Sequence, residues 1–225
     1  MLFPESLKSS ERAFLLINSS FYSGLSTFNK KYFEHRVIDF IESYEFVGRQ
    51  NVTVTRQMKL LIAATAIKLT FGYSSYLFSQ IDTIIVYPKD YFSLFGNRRH
   101  KGETNPKYRA VVFSWKDFEE GIKIEDDNLN LGLHEFTHAM QLSFLTNDNK
   151  DSRHFRKYYS KLLTFLKDKE EQKNLISKNY LRTYAFENEY EFLAVLIEHY
   201  FETPNEFKEK LPQIYGIVQS LLNFK

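Results

Sequence analysis

The stretch Leu131-Gly132-Leu133-His134-Glu135-Phe136-Thr137-His138-Ala139-Met140 carries the residues best suited to chemistry. His134 and His138 stand four apart, so on a helix they share one face, one turn apart, and can aim two imidazoles at one metal ion. Glu135 sits beside them and can reach a water on that metal. Two histidine ligands with a carboxylate general base suit hydrolysis, in which the metal activates the water and the carboxylate takes its proton. The competing reading is a pair of core histidines satisfied by hydrogen bonds. Leu129, Leu131, Leu133, Phe136, Ala139, Met140 and Leu142 surround the motif, so the helix is expected to be buried on most sides. Two histidines and a glutamate are costly to bury without partners, and a metal ion would satisfy all three.

Catalytic zinc takes three protein ligands and keeps a position open for water. The third ligand is expected within residues 184–199. Glu191 and Glu198 are seven apart there and share a helix face among mostly apolar neighbours. A buried carboxylate needs a partner. Metal ligation supplies one for Glu191, and a hydrogen bond to a ligand histidine supplies one for Glu198. The alternative is solvation or a salt bridge, which is the expectation for Glu187 and Glu189. His199 lies off this face.

These residues must be held by a core, and 225 residues can build a sizeable one. The 22 Phe and 15 Tyr suggest that it is rich in aromatic rings. The division expected is an N-terminal helical lobe over 1–78 and a catalytic lobe over 79–225, forming one compact unit. A formal net charge of +2 does not by itself imply nucleic-acid binding. The absence of cysteine removes disulfides, thiol nucleophiles and cysteine-ligated zinc, and it fits a reducing compartment. The first ten residues lack a basic region followed by an apolar run. The most apolar stretch, 60–71, is too short to span a bilayer and is interrupted by Lys68. The expectation is a cytoplasmic protein with no membrane segment in this chain, unless a leader or anchor has been removed.

Apolar spacing and capping residues predict helices over 5–20, 26–45 and 53–72, with His35 at the surface. Residues 81–87 read as a buried strand closed by Pro88. A polar stretch over 96–107 reads as a solvated loop with a basic cluster of Arg98, Arg99, His100 and Lys101. A second strand is expected over 108–115, and the motif helix over 128–144. Charged helices over 152–167 and 169–178 follow, with His154 at the surface. A helix over 187–202 is ended by Pro204, and a last one spans 213–222. These elements give an α+β, zincin-like fold, mostly helical with a small β-sheet beside the His-Glu-x-x-His helix. In zincins the strand nearest that helix is often a sheet edge on which substrate backbone pairs. The strand over 108–115 is expected to fill that place.

The pattern Tyr184-Ala185-x(5)-Glu191-Phe192-x-Ala194-Val195-x-x-Glu198-x-Tyr200-Phe201-Glu202-x-Pro204 resembles the C-terminal signature of the Mlc titration factor family of zinc peptidases. The motif helix resembles that family's Leu-His-Glu-Phe-Ala-His, with Thr137 in place of the usual alanine. Val111-Val112-Phe113-Ser114-Trp115 resembles its strand ending in Ser-Trp. Ile84-Ile85-Val86-Tyr87-Pro88 and Ile62-Ala63-Ala64 also match. The resemblance covers most of residues 30–220. It implies a gluzincin fold, related to the catalytic domain of anthrax lethal factor. It implies His134, His138 and Glu191 as zinc ligands and Glu135 as general base. It also implies a role for Tyr184, seven residues before Glu191, because lethal factor has a tyrosine beside the metal at that spacing. A phenol there could donate a hydrogen bond to a developing oxyanion; a packed core tyrosine is the alternative.

The activity implied is that of a zinc metallopeptidase acting on a peptide or protein substrate, aminopeptidase-like. The founding members of the family bind a glucose-responsive transcriptional repressor. The resemblance therefore also implies an alternative, a regulator-binding protein that sequesters a transcriptional repressor and has little peptidase activity. A nucleic-acid binder using Arg98, Arg99, His100 and Lys101 is the remaining alternative, and the near-neutral total charge argues against it.

Overall fold

The computed structural model describes residues 6–92 and 99–224. Helices α1 (Ser9–Asn18), α2 (Ser20–Gly24) and α3 (Thr27–Ser43) lead into strand β1 (Glu45–Gly48) and helix α4 (Arg56–Thr70). Five strands follow: β2 (Thr83–Tyr87), β3 (Tyr91–Phe92), β4 (Arg99–His100), β5 (Gly102–Asn105) and β6 (Ala110–Ser114). The chain then runs through α5 (Trp115–Lys123), α6 (Leu131–Thr146), α7 (Lys150–Lys167) and α8 (Lys169–Ser177). A 3-10 turn at Thr183–Phe186 precedes α9 (Glu189–Glu202), α10 (Pro204–Lys210) and α11 (Pro212–Leu221). The architecture is α+β and mostly helical, with a small mixed sheet. No described helix is long and apolar enough to cross a membrane.

Short polar side chains start the helices that matter most here. Asn130 accepts the backbone N–H of Leu133 at the start of α6, and Asn188 accepts those of Tyr190 and Glu191 at the start of α9. Each such cap satisfies a donor that the helix leaves unpaired. Between the caps, packing dominates. The Phe136 ring on α6 lies 5.2, 5.4 and 5.8 Å from the rings of Phe113, Phe78 and Phe40. Full burial of one such side chain contributes about 1.5–3 kcal/mol, more than helix propensity does at any one position. Helix α6 packs on α9, α4 and α7, so it is enclosed on most sides, as its apolar neighbours predict. One cluster of buried hydrophobic side chains extends from Leu7 to Leu222.

Strands β1, β2 and β6 pair in parallel, and β5 adds to β6 antiparallel, giving the order β1-β2-β6-β5. The strand expected over 108–115 is therefore interior, flanked by β2 and β5, and is not the sheet edge. The edge beside α6 is β5, inside the polar stretch expected to be a loop. Of Gly, Glu, Thr and Asn only the threonine favours a strand, and here pairing with the buried β6 decides the conformation. Arg98 of the basic cluster lies outside the described residues, while Arg99 and Lys101 are ion-paired with Asp90 and Asp117 at 2.6 and 2.7 Å. Pro204 does more than end α9: it occupies the first turn of α10, where its missing N–H costs nothing.

Gly132 shows how tightly α6 is held. A Cβ there would sit 2.6 Å from Cε2 of the buried Phe118 ring and 3.0 Å from Cγ2 of Thr65. Gly132→Ala should therefore lower stability by about 1–2 kcal/mol, because overpacking against a locked ring outweighs the gain in helix propensity. Equilibrium denaturant unfolding checks this, and an unchanged or raised midpoint would contradict the packing described.

Candidate metal centre

Helix α6 presents His134 and His138 one turn apart, with ring centroids 4.8 Å apart and planes at 89°. Helix α9 packs against it, and the Asn188 cap places Glu191 in the first turn of α9. Glu191 Oε2 lies 2.9 Å from His134 Nε2 and 3.5 Å from His138 Nε2. One ligand atom from each of the three residues falls within 4.8 Å of the others, a grouping that can hold a metal ion. Ligands about 2.0–2.2 Å from a tetrahedral ion stand roughly 3.3 Å apart, close to the two spacings from Glu191 to the imidazoles. Glu191 Oε2 is also buried, with the two imidazole Nε2 atoms beside it but no well-aligned hydrogen bond. A buried oxygen of this kind needs a partner, and a cation between it and the two imidazoles supplies one.

The far sides of both imidazoles are held as well. His138 Nδ1 lies 3.2 Å from Gln141 Oε1, which fixes Nδ1–H as the donor and leaves the Nε2 lone pair for a metal. His134 Nδ1 lies 3.5 Å from Glu198 Oε2, and Glu198 is only 2% exposed. Arg182 donates to that same carboxylate oxygen. Burial raises the Glu198 carboxyl above its ordinary range, with His134 and Arg182 opposing the shift. Burial opposes protonation of His134, but the carboxylates of Glu191 and Glu198 override it and raise its pKa above the ordinary imidazole value. Burial would raise Glu191 too; the adjoining imidazoles reverse this and hold it well below the usual carboxylate range.

Glu135 is 6% exposed and lies beside this cluster on α6. The Thr104 hydroxyl on β5 sits 2.9 Å from Glu135 Oε2 and 2.8 Å from the Glu135 carbonyl oxygen. Tyr184 stands on the 3-10 turn, 41% exposed, with its ring 5.9 Å from that of His134. Burial of its phenol and the negative charge of Glu191 raise its pKa, so it keeps its proton and remains a donor. His134, Glu135, Tyr184, Arg182 and Gly102 line one open cleft of about 500 Å3.

All six residues singled out in the sequence, His134, Glu135, His138, Tyr184, Glu191 and Glu198, meet in this one place. Glu187 and Glu189 are exposed, and His199 faces away, its Nδ1 3.1 Å from the Tyr180 hydroxyl. His154 is half-buried rather than at the surface, with Nε2 2.8 Å from the Ser220 carbonyl oxygen. Gly102, Thr104, Gln141 and Arg182 are new. Gln141 carries a legible signal, three residues after His138 on one helix face. The other three reach the site only through the fold.

A His-Glu-x-x-His helix beside a small sheet, with a glutamate from a later helix completing a His-His-Glu set, defines a zincin-like arrangement. The chain matches the family described as glucose-regulated metallo-peptidase M90 over residues 2–222, and it belongs to that family. It is also similar to an uncharacterised protein of Synechocystis sp., 24% identical over 214 residues, which cover 88% of this chain and 78% of that protein.

Two outcomes follow for metal binding. In the metal-free protein His134 stays protonated above the ordinary 6.5, and a metal at Nε2 must displace that proton. Uptake at pH 7 should therefore release protons, and apparent affinity should rise with pH through the neutral range. Titration calorimetry in buffers of different ionisation enthalpy measures this, and uptake without proton release would contradict it. Glu191→Ala should weaken metal binding by more than the roughly 10–100-fold that loss of an outer hydrogen-bond partner costs. Unchanged metal content after dialysis would remove Glu191 from the centre.

Proposed function

We propose that this chain is a zinc-dependent peptidase, with His134, His138 and Glu191 holding the ion and Glu135 acting as general base. The observation that supports this most is the position of Glu135: a carboxylate beside a three-ligand cluster, open to a cleft, is not needed by a metal that only holds a fold together. When bound there, zinc would lower the pKa of a coordinated water and polarise the scissile carbonyl. Glu135 is placed to take a proton from the attacking water and to hand it to the leaving amine. The phenol of Tyr184, protonated and facing the same cleft, is placed to donate a hydrogen bond to the oxyanion as it develops. Glu198 and Gln141 hold the two ligand imidazoles in the tautomer that leaves Nε2 free. Edge strand β5, rather than β6, is positioned to receive an extended substrate backbone.

Glu135→Gln should retain metal and lose turnover by at least ~100-fold, the scale of removing a general base. The check is cleavage of a mixed peptide pool by zinc-loaded wild type and Glu135→Gln, read by mass spectrometry. Cleavage by wild type alone supports the proposal, and the cut positions distinguish aminopeptidase-like action from internal cleavage. Equal cleavage by both proteins, or none by either with zinc bound in both, overturns it.

A further inference from the structure

Strand β5 touches the site in a way that the three ligands and their helix do not account for. The register pairs Gly102 with Phe113, Glu103 with Val112, Thr104 with Val111 and Asn105 with Ala110. One residue earlier, the Ser114 N–H donates to the Lys101 carbonyl at 2.6 Å. Antiparallel partners alternate between pairs that exchange hydrogen bonds and pairs that do not. Residues 101, 103 and 105 therefore turn their backbone groups toward β6. Gly102 and Thr104 turn theirs outward, to the side on which no described strand pairs.

The faces alternate as well. Glu103 and Asn105 line the far side of the sheet with Tyr87 and Tyr91. Gly102 and Thr104 face Glu135. A Cβ at Gly102 would fall 2.7 Å from Glu135 Oε1 and 2.8 Å from Glu135 Cγ, so no larger residue fits without displacing that carboxylate. The Thr104 hydroxyl has one proton and two acceptors, the Glu135 carbonyl oxygen and Oε2. The carbonyl is the neutral acceptor of the two and already serves the α6 ladder. An ionised carboxylate is the stronger acceptor, so the proton goes to Oε2. Oε2 is then held by Thr104, and Oε1 lies over Gly102.

We propose that Thr104 is a positioning residue for Glu135, and that the two edge residues offering backbone to a substrate, Gly102 and Thr104, are also the seat of the base. The inference rests on the reading of Glu135 as general base. Its consequence is that a peptide strand laid along β5 bonds directly to the residues that orient the carboxylate. Substrate docking and alignment of the base then become one event in one short strand.

Thr104→Val separates the two roles, because it removes the hydroxyl and keeps both the shape and the backbone edge. In the zinc-loaded protein kcat should fall about tenfold, the scale of one hydrogen bond to a charged group, with KM within about twofold of wild type. Thr104→Ser should restore most of the loss. A second readout does not depend on turnover: the carboxyl carbon resonance of Glu135 in protein labelled with 13C-glutamate, assigned by its absence in Glu135→Gln. It should move in Thr104→Val and return in Thr104→Ser. A wild-type kcat in Thr104→Val overturns the inference, and so does a resonance that stays in place. If wild type cleaves no peptide, the peptidase reading fails, and the resonance alone decides the seat: movement with return in the serine variant supports it, and no movement overturns it.

Discussion

Glu191 Oε2 and His134 Nε2 lie 2.9 Å apart at the interface of α6 and α9, and the rest of the site is built outward from that pair. Taking two imidazoles and a carboxylate out of water is expensive unless their charges are balanced and their hydrogen bonds complete. The structure meets this with a chain of alternating groups: His138, Glu191, His134, Glu198 and Arg182, each in contact with the next. A proton on His134 would balance the chain, and a divalent ion in its place would bring one further positive charge beside the Glu135 carboxylate. The apolar faces of the two helices supply the energy to bring them together. The charge chain specifies how they register against each other, since a slip of one turn would leave a buried carboxylate without a partner.

The site also depends on a division of labour between rigid and exposed parts. His134, His138 and Glu191, a group that could hold a metal ion, stand with Glu135 on two helices whose inner faces are buried in one aromatic-rich core. Tyr184 stands on a short turn and is substantially exposed. Strand β5 is polar, short and at the sheet edge, and no described strand pairs with its outward side. The cleft between β5 and the Tyr184 turn has His134, Glu135, Arg182 and Glu198 in its lining.

Sequence reasoning went furthest where chemistry and periodicity coincide. His134, Glu135 and His138 announce themselves by spacing on one helix, and Glu191 and Glu198 by their seven-residue interval among apolar neighbours. The costs of burying such groups are large enough that few arrangements can satisfy them, and residue type and interval pick out residues that the fold brings together. The motif helix, the charged pair after it and the last long helices were legible for a similar reason, because caps and apolar repeats are local. Local signals failed where a neighbour decides the conformation. Residues 102–105 look like loop and form a strand because β6 pairs with them, and β6 becomes interior for the same reason. Residues 45–48, beginning where the expected helix ends, form a strand through pairing with β2.

By itself, then, the sequence determined the chemical inventory of this protein: a His-Glu-x-x-His helix, two glutamates seven apart on a later helix, and a helical core to hold them. Those are properties of residue type and interval, which the chain carries before it folds. Tertiary structure alone decided which strand forms the edge, that Gly102 and Thr104 rest against Glu135, and that Arg182 closes on Glu198. Each of these contacts joins residues whose separation in sequence carries no period of a helix or strand, so only the packing of distant elements could bring them together.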